Sequence, residues 1–368
     1  MDEWHSRIIG IIDGHVHMGG MAEEESMLAI RQETGIEKMA LVSIQNPEAG
    51  SGLPGSLYMK ARYPRWFYVF AGLNHAEVQS DGRVQTPSLA EQVDEFLAIG
   101  CDGIKMIEGK PTSRQRLNVP VTDPYYADYW ARVEELGVPI VWHVNDPEEF
   151  WDPERLPVWA KERGWGYSPE DVSKEQLYAE VDEVLARHPG LNVTFAHFYF
   201  LSADLERAGR FLDAHPTVRF DLAPGIEMLH NLSRDVDASR DFFVRYADRI
   251  VFGTDLFSNL AVEEGRARAG IVYRWLESDE YYRVPDEADF LLGAPEDGLI
   301  HGMALPDDVL KRIYHDNFVR AASDEPRALD VAQAVAVCER LAATAEVLSG
   351  TPAAETEAAR VASALAEE

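Results

Sequence analysis

The sequence predicts an α/β chain closed into a (β/α)8 TIM barrel, followed by a helical C-terminal extension. Three observations carry that expectation. Eight short apolar, β-branched runs alternate with stretches of helical periodicity, the pattern of parallel strands joined by crossover helices. These units span roughly 270 residues, close to the about 250 typical of a barrel. No glycine-rich phosphate loop follows the first run, which counts against the runner-up, a doubly wound open sheet.

The first strand lies within Ile8–Met18 and ends in Asp-Gly-His-Val-His. Residues 21–34 read as a helix with acidic residues at its start and Gly35 at its end. Lys38–Ile44 is the second strand, residues 46–55 a Pro/Gly loop, and 56–63 a short helix. Trp66–Leu73 is the third strand, and residues 89–99 an amphipathic helix closed by Gly100. The fourth strand, Asp102–Ile107, leads into a loop holding Lys110, Arg114 and Arg116, the densest basic patch in the chain. A helix over 124–136 precedes the fifth strand, Val138–Val144. A long aromatic loop then runs to a helix over 170–188, whose start is marked by Ser168 and Pro169 as cap and first residue. The sixth strand is Leu191–Phe198, the seventh Val218–Leu222 and the eighth Arg249–Leu256, with helices over 203–214, 234–247 and 262–275 between and after them. The barrel domain is expected over 1–322, with an acidic, aromatic insert at about 277–305 and a closing helix over 306–322. Residues 323–368 form an Ala/Glu-rich helical tail, expected as two helices broken at Ser349-Gly350-Thr351-Pro352, with Thr351 and Pro352 starting the second. Its narrow apolar stripe suits packing on the barrel or on a second subunit, so a homodimer is one expectation.

Composition excludes several classes of partner. With 34 basic and 64 acidic residues, the net charge of −30 repels nucleic acid and anionic membranes. No run of about 20 apolar residues is long enough to span a bilayer. Two cysteines, Cys101 and Cys338, give no disulfide framework, and no secretory leader is visible, so a reducing cytoplasm is expected.

Chemistry in a parallel barrel gathers at the C-terminal ends of its strands. The polar residues predicted there are His15 and His17 on the first strand, Lys105 and Glu108 on the fourth, His143 on the fifth, His197 on the sixth and Asp255 on the eighth. Residues two apart on a strand share a face, so His15 and His17 point the same way. A polar residue ending one buried strand is ordinarily a hydrogen-bonded cap. Four histidines and an aspartate all at catalytic ends argue for a metal site.

The motifs DGHVH, VWHV, FAHF and FGTD, in this order on these strands, resemble the amidohydrolase superfamily. The segments FFVRYADRIVFGTD and LPDDVLKRIYHDNFVR narrow the resemblance to the amidohydrolase-related (amidohydrolase 2) branch that includes aminocarboxymuconate-semialdehyde decarboxylase-like proteins and the resorcylate decarboxylases. The resemblance covers about residues 8–322. It implies that His15, His17, His143 and Asp255 ligate one divalent metal, usually zinc, and that His197 polarises water or substrate beside it. It also implies a second ion if Lys105 is carboxylated, with His143 and His197 then on that ion. Lys105 has two other readings: a point charge for a substrate carboxylate, or a lysine whose stem packs while its amine reaches water.

Arg114 and Arg116 are candidates for binding an acidic substrate, with a solvated loop as the alternative. The aromatic loop Phe150–Tyr167 is either a lid or a small satellite core. His75 is placed near the reactive face, and Trp142 on the core side of its strand. The leading functional expectation is a metal-dependent hydrolase of a small amide, lactone or ester. In it Asp255 serves as general base, and the metal with His197 stabilises the oxyanion. Non-oxidative decarboxylation of an aromatic or unsaturated acid is the second expectation, and a non-catalytic metal-binding scaffold the third.

Overall fold

The computed structural model describes residues 5–46, 50–75, 87–225, 227–285 and 299–367. Its core is a ring of parallel strands, which we number β1 (Ile12–His17), β2 (Lys38–Val42), β3 (Phe67–Gly72), β4 (Gly103–Gly109), β5 (Pro139–Val144), β6 (Asn192–Phe195), β7 (Arg219–Asp221), β8 (Ile250–Val251) and β9 (Leu256–Phe257). Neighbours pair in chain order from β1 to β8, and β9 pairs back onto β1 with Val16 opposite Leu256. The open-sheet alternative is thereby excluded. Nearly every strand residue is buried, because helices cover the outer face and side chains fill the inner one.

The eighth strand differs from its expected form. Arg249–Leu256 is not continuous: β8 pairs with β7, the chain breaks at residues 252–255, and β9 continues on β1. Three backbone bonds stitch the seam, Gly14 N to Phe252 O at 2.9 Å, Asp255 N to His15 O at 3.0 Å and Ser258 N to His17 O at 3.0 Å. Gly14 is required here, since a Cβ would lie 2.9 Å from Val251 Cγ1 and 3.1 Å from the Phe252 carbonyl.

Other boundaries were also misplaced. The 110–116 loop contains a helix, Pro111–Leu117. The helix expected at 170 begins at Lys174. Ser173 Oγ accepts its Gln176 amide at 3.1 Å, while Ser168 instead closes a turn with Asp171. The sixth strand stops at Phe195 and becomes a tight turn over His197–Phe200.

The tail forms two helices, Val331–Ser349 and Glu357–Ala366, both packed on the barrel's main core through Ala334, Val337, Cys338, Val361 and Leu365. Gly350 ends the first in the left-handed conformation, but Thr356 rather than Thr351 caps the second. In the insert, Tyr281–Tyr282 pairs with Ile300–His301; residues 286–298 lie outside the described residues.

Candidate metal centre

β1 delivers His15 and His17 to the mouth of the barrel, as strand alternation requires, and the seam with β9 brings Asp255 against them. Donor atoms of His15, His17 and Asp255 all lie within 4.8 Å of one another. His17 Nε2 is 3.1 Å and His15 Nε2 3.6 Å from Asp255 Oδ1. Burial alone would raise the Asp255 carboxyl, but the His17 hydrogen bond outweighs it and holds the carboxyl well below the usual carboxylate range. Burial and Lys105 keep the His15 imidazole neutral.

Two aspartates hold this group in place. Asp221, at the end of β7, takes the His15 Nδ1 proton at 2.8 Å on Oδ2, and the His197 and Ala223 amides at 2.8 and 3.1 Å on Oδ1. That bond fixes the His15 tautomer and turns the Nε2 lone pair toward Asp255, the support a metal-ligating histidine ordinarily has. Asp13 accepts the His15 and Thr254 amides at 3.0 and 3.2 Å and the Thr254 hydroxyl, tying the first motif to the last. Sequence reading passed over both. Asp221 carried the signal of a lone acid ending an apolar strand. Asp13 opens the DGHVH motif, two residues before His15.

His143 stands apart from the His15–His17–Asp255 group. Its Nε2 donates to the Asn145 carbonyl at 2.9 Å and lies 3.4 Å from Asp146 Oδ1, so Nδ1 carries the lone pair. His197 Nδ1 donates to the Ala223 carbonyl at 3.0 Å, so Nε2 carries its lone pair. These two lone pairs face each other across 3.1 Å. Burial pushes both rings down, His143 to about 4 and His197 to about 3, so neither supplies a proton to the contact near neutrality. Two acceptors at that spacing call for a shared cation; two nitrogens on one tetrahedral zinc at ~2.1 Å would be ~3.4 Å apart. In this tautomer His197 accepts at Nε2. The expected donor role toward an oxyanion requires the doubly protonated ring.

Lys105 is 2 % exposed, which rules out an amine reaching water. Its Nζ lies 3.0 Å from His15 Nε2, and burial pulls it down to about 8. Arg116 and Lys105 line one cleft with Ser43, Gln45, His75 and Glu108. Arg114 points elsewhere, to Glu180 at 3.5 Å. Glu108 is bonded to His75 Nε2 at 2.7 Å, and His75 Nδ1 to the Tyr125 hydroxyl at 3.1 Å, so both are buried partners in the cleft wall. Trp142 is core, packed on Trp130 and Phe195.

The aromatic loop builds a satellite core from Phe150, Ala160 and Tyr167. Asp146 anchors it, accepting from the Tyr167 hydroxyl and Lys110 Nζ at 2.5 Å each. Burial opposes the Asp146 charge, but Lys110 and His143 outweigh it and keep the carboxylate ionised.

The centre is held by strained backbone. Asn145 and Asp255 adopt left-handed conformations at φ 72° and 54°. His197, Phe198, Tyr199 and Phe200 do so consecutively, at φ 57°, 55°, 56° and 51°. Each non-glycine residue there costs roughly 1–2 kcal/mol. That strain sits where strand ends must aim side chains at the barrel axis.

No curated protein matches the chain. Among solved structures it is similar to an amidohydrolase II (12 % identity, TM-score 0.53, covering 85 % of this chain and 99 % of that one). It is also similar to a zinc-bound amidohydrolase from Burkholderia multivorans (14 %, TM-score 0.50, 85 % and 98 %). At such identities these likenesses speak for the fold alone. The amidohydrolase family model matches residues 86–321, a region that holds Lys105, His143, His197 and Asp255 but begins after His15 and His17. By that match across more than half of its length, with a barrel to suit, this chain belongs to the amidohydrolase family.

Proposed function

We propose that the protein is a metal-dependent hydrolase of a small amide, lactone or ester. The observation that carries this reading is the convergence of His15 Nε2, His17 Nε2 and an ionised Asp255 oxygen at the barrel mouth, with the His15 tautomer fixed by Asp221. Two imidazoles and one carboxylate are a donor set that suits zinc and leaves a coordination position open. His197 stands beside this set, its ring 5.3 Å from that of His15 and its Nε2 facing His143 Nδ1 at 3.1 Å. A divalent ion held there would supply Lewis acidity and lower the pKa of the attacking water.

The chain's own residues do the rest. Asp255, held ionised by its hydrogen bond with His17, is the group placed to accept the proton from water. Lys105, whose Nζ lies 3.0 Å from His15 Nε2, would donate from its ammonium to a substrate oxygen beside that ring. Arg116, in the same cleft, supplies a second positive charge for an acidic substituent. A two-ion variant is favoured by one observation: an amine drawn down to about 8 is partly neutral at physiological pH, the form that can be carboxylated.

Metal analysis together with a panel of lactones, amides and carboxylated phenols, read for proton release and for carbon dioxide, tests the reading. Metal-dependent proton release from lactones, or amine release from amides, is the expected result. Carbon dioxide without water consumption would transfer the assignment to decarboxylation. Full turnover by metal-stripped protein, or normal metal content in His17→Ala, would refute both.

A further inference from the structure

The left-handed turn that aims His197 into the barrel sends Tyr199 the other way, through the wall. Its ring packs against Phe195, Phe211 and Tyr178 at 4.3, 4.8 and 4.9 Å. Tyr199 is 1 % exposed, and its buried hydroxyl has no hydrogen-bond partner. A buried phenol is ordinarily satisfied, so an orphaned one needs a reason.

A cleft of about 270 Å³ lies beside it, between the helices Lys174–Arg187 and Leu205–Ala214. Tyr178, Asp182, Arg207, Arg210, Phe211 and His215 line it together with Tyr199. This is the outer wall of the barrel, distinct from the mouth where the histidines gather.

The lining has the chemistry of a binding site. It holds two guanidinium groups and one carboxylate, with Glu175 and Glu206 paired to the guanidinium groups from just outside the lining. Arg207 is clamped by Glu175 through bonds of 2.7 and 2.9 Å and lies 4.4 Å over the Tyr178 ring, so it is fixed before any ligand arrives. Arg210 is paired only with Glu206, one turn away on the exposed helix surface, a partner that a ligand carboxylate can replace. Phe211, half-buried, offers an apolar ring face to the cleft.

We propose that this cleft binds a small aromatic carboxylate, its acid on Arg210, its ring against Phe211 and a polar ring substituent on the Tyr199 hydroxyl, and that its occupancy is transmitted to His197 through the turn they share. Tyr199 and His197 are two residues apart within four consecutive left-handed residues. A contact that moves one end of so constrained a turn moves the other. The site is independent of which reaction runs at the mouth.

The probe is 4-hydroxybenzoate, titrated calorimetrically into the full-length protein. A single wall site is expected, weakened about tenfold in Tyr199→Phe by loss of one buried hydrogen bond and at least as much in Arg210→Ala. It should persist in a His15→Ala/His17→Ala variant, which separates it from binding at the mouth. In spectra of histidine-labelled protein, saturation should shift the His197 resonance. No binding, unchanged binding in both wall variants, or binding lost with His15 and His17 would overturn the site. A His197 resonance that stays still at saturation would overturn the coupling.

Discussion

Asp221 shows how much of the centre rests on a residue that need not touch substrate. It holds the His15 proton and the turn carrying His197 at once. Asp221→Asn keeps the shape but leaves the His15 tautomer unfixed. Metal affinity should fall roughly 10- to 100-fold, measured by competition with a chromogenic chelator. Unchanged affinity would mean that the ring is held by packing alone. Glu227 is a residue-scale test of burial. It is 9 % exposed, one of its oxygens is unpaired, and burial raises its carboxyl to about 7. A raised acid stabilises the folded state below its unfolded pKa and loses that contribution as pH rises through the folded one. Wild type should therefore lose up to about 3 kcal/mol relative to Glu227→Gln between pH 4.5 and 7.5, read from urea unfolding at both ends. Parallel pH profiles for the two proteins would contradict this.

Among elements, the β3–β4–β5 seam leaves no room for a side chain at Gly103. A Cβ at Gly103 would meet the Pro139 carbonyl and the Phe70 ring, neither free to move far within a closed sheet. Gly103→Ala should destabilise the barrel by about 1–3 kcal/mol, visible as a lower urea midpoint with an unchanged slope. A neutral result would show slack in the seam. The broken eighth strand is the element with functional weight. A continuous strand would have pointed alternate residues in and out, whereas the left-handed Asp255 between β8 and β9 turns its carboxylate onto both β1 histidines.

At the scale of the molecule, the tail belongs to the barrel. Its linker is tied to the foot of β4 by Arg327 N to Asp102 Oδ1 and Asp330 N to Ile99 O, both at 2.7 Å. Its last helix reaches the loop after β1, where Glu357 Oε1 accepts the Met21 amide at 2.6 Å. Truncation after Gly350 should lower the melting temperature by several degrees, since it removes Val361 and Leu365 and uncovers the apolar surface they pack on. It should also weaken metal retention by loosening the segment that follows His17. Retention equal to wild type would confine the tail to a stabilising role.

Much of this was legible in the sequence for a definite reason. Strand alternation is a local rule, so apolar runs located the strands, and the His15/His17 spacing placed both rings on one face. The polar residues closing those runs named His143, His197 and Asp255, because a buried strand seldom ends in a charge. What stayed hidden depended on partners far along the chain. The Asp221–His15 bond spans 206 residues, and no periodicity announces it. The Arg114 and Arg116 patch looked uniform, yet a helix over Pro111–Leu117 turned one toward Glu180 and the other into the Lys105 cleft. The sequence by itself determined the barrel, its family and the residue types at the strand ends. Only the tertiary structure decided which way each imidazole presents its lone pair, that Lys105 is sealed from water, and that His197 rides on a strained turn. Tautomers, burial and backbone strain are set by contacts between distant segments, and those exist only once the ring has closed.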